Sequence, residues 1–113
     1  MTVLEIVDIL QGTVVAGAGK INNEISGGYV SDLLSNVMSQ GKSGNLWVTM
    51  HGHQNIVAVA SLLGLSVVIL AGHVQPDKET VTKADAEEIP IVMTALPAFQ
   101  VVGLLYSKGI MAV

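Results

Sequence analysis

The chain has no cysteine and no arginine, and of its 113 residues only 12% are charged and 4% aromatic. Without cysteine, disulfides and thiolate chemistry are both excluded. With five lysines against nine carboxylates and a net charge of −4, it lacks both the bidentate donors and the electrostatic attraction that nucleic-acid binding uses. No nucleic-acid partner is expected. The N-terminus carries no basic region followed by an apolar core, so no secretory leader is read there and a cytoplasmic location is expected.

What the chain has in quantity is apolar surface: half of the residues are hydrophobic and the mean hydropathy is +0.61. That leaves too little polar surface to cover a monomer comfortably, and self-association as a homodimer is the expected result. The length fits one domain, residues 1–113, with a hydrophobic core of its own. Between Lys42 and Asp77 the only titratable side chains are His51, His53 and His73. This stretch does not read as a membrane span, which takes about 20 continuous apolar residues. Gly64-Leu65-Ser66 divides it into a helix-length piece and the β-branched run Val67-Val68-Ile69-Leu70, and buried parallel strands read as such runs.

Thr2-Val3-Leu4-Glu5 has the spacing of a capping box, and Val3, Ile6, Val7 and Leu10 fall on one face of a first helix running to about Gln11, with Gly12 as its left-handed stop. Thr13 to Gly17 and Glu24 to Val30 read as extended segments flanking a turn-rich stretch, which makes an N-terminal α-β-β cap. The paired Gly27 and Gly28 predict a sharp turn, after which Ser31 or Asp32 caps a second helix bearing Leu33, Leu34, Val37 and Met38. Three strand-then-helix units follow. Strands at Leu46 to Met50, Val67 to Leu70 and Ile91 to Thr94 precede helices at about Gln54 to Leu63, Asp77 to Glu88 and Pro97 to Lys108, the last closed by Gly109-Ile110. Strands alternating with helices predict an α/β fold: one three-layer domain around a mainly parallel sheet, covered on both faces.

The stretch from Gly27 to Met38, joined to Leu46 through Ala60, resembles the DRTGG domain family, and the likeness continues through Pro76 to Thr80 and Glu88 to Ile91. The resemblance implies a small α/β module related to the N-terminal domains of HPr kinase/phosphorylase and of a Mur ligase. Such modules are found within phosphotransacetylases, between CBS domains of some inorganic pyrophosphatases, and as free-standing proteins. It also implies a regulatory or assembly role, often through dimer contacts, with catalysis supplied by another domain. Where the family takes its name, Glu24, Ile25 and Ser26 stand here in place of Asp, Arg and Thr, while Gly27 and Gly28 match. Loss of the arginine removes a permanent cation that would bind an anion or fasten a loop.

Two phosphate-loop near misses fall away: Ala18 stands where Gly12-to-Gly17 would need a lysine next, and Asn36 stands where Gly41-Lys42-Ser43 would need a glycine upstream. The segment His51-Gly52-His53, with His73 after the next strand, supplies the one cluster of candidate metal ligands, its three imidazoles. Three imidazoles with a water suit a catalytic zinc, but no sequence-close carboxylate or HExxH pattern accompanies them, which favours histidines that shape a loop by hydrogen bonding. No cofactor is expected. In open parallel sheets ligands bind beyond the carboxyl ends of strands, near helix N-termini. That rim would present Ser31, Thr49, His51, His53, Asn55, Gly72, His73 and Thr94. Hydroxyls, imidazoles and an amide orient a small polar metabolite, but they do not make a nucleophile with its base.

Asp77, Glu79, Asp85, Glu87 and Glu88 read as the solvated face and cap of the acidic third-unit helix. Trp47 and Tyr29 suit either core or interface, and Phe99, Val102, Leu105 and Tyr106 read as core continued into a dimer contact. Met111-Ala112-Val113 is an apolar tail that water does not suit. The expectation is a non-catalytic regulatory or assembly module, homodimeric, that binds a partner protein or a small anionic metabolite. The alternatives are a metal protein or enzyme using His51, His53 and His73, and a structural subunit of a redox or signalling complex.

Overall fold

The computed structural model describes residues 1–112; Val113, the last residue of the expected tail, lies outside the described residues. The elements are α1 (Val3–Leu10), β1 (Thr13–Ala16), β2 (Gly27–Val30), α2 (Leu34–Gln40), β3 (Asn45–Thr49), α3 (Asn55–Leu63), β4 (Val67–Leu70), α4 (Lys78–Ala86), β5 (Ile91–Met93) and α5 (Ala98–Ser107), with a 3₁₀ turn at Ala18–Lys20. One five-stranded sheet runs in the order β1-β5-β4-β3-β2. β2, β3, β4 and β5 are parallel, and β1 closes one edge antiparallel to β5. The N-terminal α-β-β segment is thus no separate cap on the sheet, since its two strands form the sheet's opposite edges.

Alternation along the strands sorts the core into two layers, because successive side chains point to opposite faces. Leu46, Val48, Val67, Ile69 and Val92 face α1 and α5, meeting Val3, Ile6, Leu10, Val101 and Leu105. Trp47, Val68, Leu70 and Ile91 face the other way and pack with Val37, Ile56, Val57, Ala60 and Ala84 of α2, α3 and α4. β3 and β4 are buried along their whole length, as strands covered on both faces must be. Trp47 belongs to this core, with its indole N–H donating to the Ser31 carbonyl at 2.8 Å.

Four readings of the sequence are corrected by the backbone and its packing. The left-handed residue ending α1 is Gln11, at φ 51°, and Gly12 is instead a close-approach site, where a Cβ would stand 2.6 Å from Val92 Cγ1. Gly27 and Gly28 lie in extended β2 without a turn, and a Cβ on Gly28 would sit 3.2 Å from Ile110 Cγ2. The second helix starts at Leu34, because Ser31 N–H still bonds Val48 of β3 and the Asp32 carboxylate is drawn to the end of that strand. Finally, α5 buries a narrow stripe through Val101 and Leu105, so Phe99 and Tyr106, about half a turn away around the helix, face solvent, Phe99 with 93% exposure.

The helix ends show how local chemistry fixes the connections. Thr2 Oγ1 accepts from Glu5 N–H at 3.4 Å, while the N–H groups of Val3 and Leu4 donate to the carbonyls of Asn23 and Ile21. At the other end of the chain Gly109, at φ 96°, allows Gly109 N–H to reach Tyr106 and Ile110 N–H to reach Leu105, the paired bonds of a glycine-stopped helix. Ile110 then rejoins the core, and the Met111 carbonyl accepts from Gly28 N–H at 2.9 Å, which fastens the tail along the exposed edge of β2.

Candidate functional site

The carboxyl ends of β2, β3, β4 and β5 emerge along one rim, as parallel strands require. At the end of β2 stands Asp32, a residue the sequence suggested only as a helix cap. Its Oδ1 accepts from the Thr49 hydroxyl at 2.6 Å and from Met50 N–H at 2.8 Å. The Met50 amide, then the Thr49 hydroxyl, and more weakly the His51 ring hold this carboxyl below its ordinary value of 3.8, against a smaller opposing effect of burial. Asp32 is therefore an anion at neutral pH and ties the β2 end to the β3–α3 loop.

That loop carries His51, Gly52 and His53. The two imidazoles stack with centroids 6.1 Å apart and planes 25° from parallel. His51 N–H donates to the buried Thr49 hydroxyl, and His53 Nδ1 accepts from Asn55 N–H at 3.2 Å, so His53 fills the role of a cap at the start of α3. Gly52 has no room for a side chain, because a Cβ would approach the Gln75 carbonyl to 2.7 Å. Its own carbonyl accepts from Asp77 N–H and from the buried Thr80 hydroxyl, which clamps the loop against the head of α4.

On the next strand end, Gly72 and His73 both adopt left-handed torsions, at φ 70° and 61°, and their N–H groups donate to the carbonyls of Leu96 and Thr94. A Cβ on Gly72 would lie 3.1 Å from Met50 Cε, so this turn abuts the β3–α3 loop. Thr94 is buried, donates its hydroxyl to the Leu10 carbonyl at 2.9 Å and accepts from Leu96 N–H. The rim thus divides. Asp32, Thr49, His51, His53 and Asn55 form one hydrogen-bonded or stacked group, Gly72 and His73 border it, Ser31 Oγ accepts from Leu33 N–H beside it, and Thr94 is turned into the core. Among the described residues no three His, Cys, Asp or Glu side chains stand close enough together to hold a metal ion, so the imidazoles of His51, His53 and His73 do not form a ligand set.

Two cavities lie beside the rim. One, of about 270 Å³, opens between β2, α5 and the tail and is lined by apolar groups such as Val30, Val48, Val102 and Ile110. The second is a shallow groove between α2 and α3 that includes Asn55 at its rim end. The acidic helix is not simply a solvated face: Asp85 Oδ1 accepts from Gly17 N–H at 2.8 Å and pins the end of β1. Among the described residues no helix is long and apolar enough to cross a membrane.

No curated protein matches the chain. A solved structure of the CBS and DRTGG domains of the regulatory region of Clostridium perfringens pyrophosphatase, complexed with the activator diadenosine tetraphosphate, shares the fold at a TM-score of 0.75 and 18% identity. The match covers 92% of this chain and 45% of that one, so the chain spans less than half of that regulatory region. The DRTGG domain model matches residues 5–107, the whole sheet and all the helices but the first two residues of α1, and the chain is accordingly a member of the DRTGG domain family.

Proposed function

We propose that this chain is a non-catalytic, cytoplasmic regulatory module that self-associates and binds a small anionic metabolite at the rim formed by Asp32, Thr49, His51, His53, Asn55 and His73. The observation that carries the reading is the rim itself, in which Asp32 and Thr49 from two strand ends are hydrogen-bonded, His51 and His53 stack, and the His53 ring accepts from the head of α3. The rim's hydroxyl and carboxylate groups are engaged in holding loops: the Thr49 hydroxyl donates to Asp32, and the Asp32 carboxylate accepts from Met50 N–H. Groups so engaged position a ligand better than they attack one. His53 and His73 remain exposed, and Lys78 stands exposed at the head of α4 next to the Gly52 clamp. Imidazole nitrogens and the Lys78 ammonium there are the groups that can hydrogen-bond an anion, in a chain without arginine. The likeness to a pyrophosphatase regulatory region captured with a nucleotide activator supports the same reading.

A thermal-shift screen against nucleotides, including diadenosine tetraphosphate, acyl phosphates and divalent metals tests it. A ligand at about 100 times its dissociation constant adds roughly 2.7 kcal/mol to the folded state, which for a chain of this size raises Tm by on the order of 10 °C. The expected result is such a shift with one anion class, lost in His53→Ala and His73→Ala variants. A flat screen, or a shift given by a divalent metal alone, overturns the reading.

A further inference from the structure

We infer that His53 is a proton-operated cap, which fixes the β3–α3 loop of the rim while the ring is neutral and releases the α3 end of that loop when the ring is protonated. The start of α3 is built for it. Gln54, just before the helix, is already helical at φ −59° and ψ −17°, and its side chain caps nothing. The first donors of the helix are served from His53 instead: its ring Nδ1 accepts from Asn55 N–H at 3.2 Å, and its carbonyl accepts from Ile56 N–H at 3.1 Å. A serine, threonine, asparagine or aspartate oxygen ordinarily fills that place. An imidazole nitrogen accepts only while it carries no hydrogen, so the bond to Asn55 specifies the neutral ring with its hydrogen on Nε2. Protonation turns Nδ1 into a donor. It then confronts Asn55 N–H, donor against donor, and puts a cation at the helix end whose free amides are themselves positive. Histidine is the side chain whose charge changes between about pH 5 and 8, whereas Asp32, held below its ordinary value of 3.8, stays an anion over that range.

The surrounding charges do not hold a protonated His53 in place. Asp32, at the end of β2, is engaged by the Thr49 hydroxyl and Met50 N–H, and its charge bears on His51. His51, in the loop itself, stacks on His53 with centroids 6.1 Å apart, so the two rings repel once both are charged. The β4–α4 loop brings His73, the head of α4 brings Asp77, Lys78 and Glu79, and α2 and α3 bring no ionisable side chain. Among the described residues the ion pairs are Met1 with Glu24 and Lys20 with Glu88, so neither imidazole has a carboxylate partner. The rest of the loop is tied independently of the ring. His51 N–H bonds the Thr49 hydroxyl, and the Gly52 carbonyl accepts from Asp77 N–H and the Thr80 hydroxyl, which confines the release to His53 through Asn55. The consequence for a ligand rests on the reading proposed above: an anion at the rim meets a fixed loop while His53 is neutral and a loosened one in acid.

A proton–nitrogen NMR titration of the ligand-free chain between about pH 8 and pH 5 tests the cap, reading the backbone amides together with the imidazole nitrogens. At the alkaline end His53 should carry its hydrogen on Nε2. On acidification the Asn55 amide should shift along the same titration curve as the His53 ring, and that shift should vanish in His53→Asn, whose side-chain oxygen caps a helix without taking up a proton. A His53 ring with its hydrogen on Nδ1 at the alkaline end overturns the inference. So does an Asn55 amide that stays still in the parent, or one that titrates undiminished in His53→Asn. The tautomer and the shared curve are read in the parent, so the test stands even if the variant does not fold. No ligand enters the measurement, and a negative result therefore removes the cap while leaving the anion reading to its own screen.

Discussion

Asp32 is the pivot of the rim, and replacing it gives the most informative stability measurement. In Asp32→Ala two bonds to a carboxylate disappear, one from the Thr49 hydroxyl at 2.6 Å and one from Met50 N–H at 2.8 Å. Hydrogen bonds to charged groups contribute about 1.5–3 kcal/mol each when well buried, but Asp32 is exposed, and solvent screening discounts both. Met50 N–H can turn to water. Thr49, at 1% exposure, cannot, and its hydroxyl proton is left without an acceptor. The sum is about 2 kcal/mol, a Tm lower by roughly 8 °C. Asp32→Asn keeps an acceptor oxygen in place and should lose about half as much. The pH dependence follows from linkage: the folded-state pKa is lowered, so the contribution is fully present above the ordinary carboxyl value of 3.8 and is lost as pH falls through the lower folded value. Urea unfolding followed by Trp47 fluorescence, at neutral pH and below about pH 4, measures both effects. An Asp32→Ala variant within about 0.5 kcal/mol of the parent at neutral pH, or a difference that does not shrink on acidification, would refute this account of the rim.

Gly17 sits at φ 66° with the Ile89 carbonyl oxygen 2.2 Å from where a Cβ would be, so Gly17→Ala should cost about 3 kcal/mol or more. Gly19→Ala, with nothing within 4 Å of the added methyl, should stay within about 0.5 kcal/mol in the same urea titration. Trp47→Phe removes the indole bond to the Ser31 carbonyl and leaves a small void, a loss of about 2–3 kcal/mol by circular dichroism. Elemental analysis of protein purified without chelator or affinity tag should find far less than one metal ion per chain; a stoichiometric metal would overturn the placement of the three histidines.

The parallel core was legible because its signal is local. Val67 to Leu70 is a continuous apolar run between Gly64 and Gly72, and β4 occupies those same residues, next to β3 and β5. The stop at Gly109 was legible for the same reason, since glycine followed by an apolar residue encodes its own bonding pattern. Edge assignment was not, because the pairing of β1 with β5 joins Thr13 to Met93, segments with no local pattern in common. The rim was half legible. Its position follows from parallel topology, yet the roles of its side chains depend on contacts that span the chain. Asp32 two residues before a helix reads as a cap, and nothing near it signals Thr49 and Met50 as partners; the Thr94 hydroxyl finds its acceptor 84 residues away, at Leu10. Phe99 misled for a different reason: an apolar side chain signals core only if its helix face is covered, and the helical period alone does not say which of two apolar faces on α5 meets the sheet.

The proposal that an anionic metabolite docks on the rim is tested most directly by mapping amide shifts in a proton–nitrogen NMR spectrum while a nucleotide is titrated into the labelled protein. The account predicts saturable shifts concentrated at Asp32, Met50 to Asn55 and Gly72 to Val74. Shifts confined to the apolar cavity beside β2 and α5, or no saturable shift at millimolar nucleotide, would contradict it.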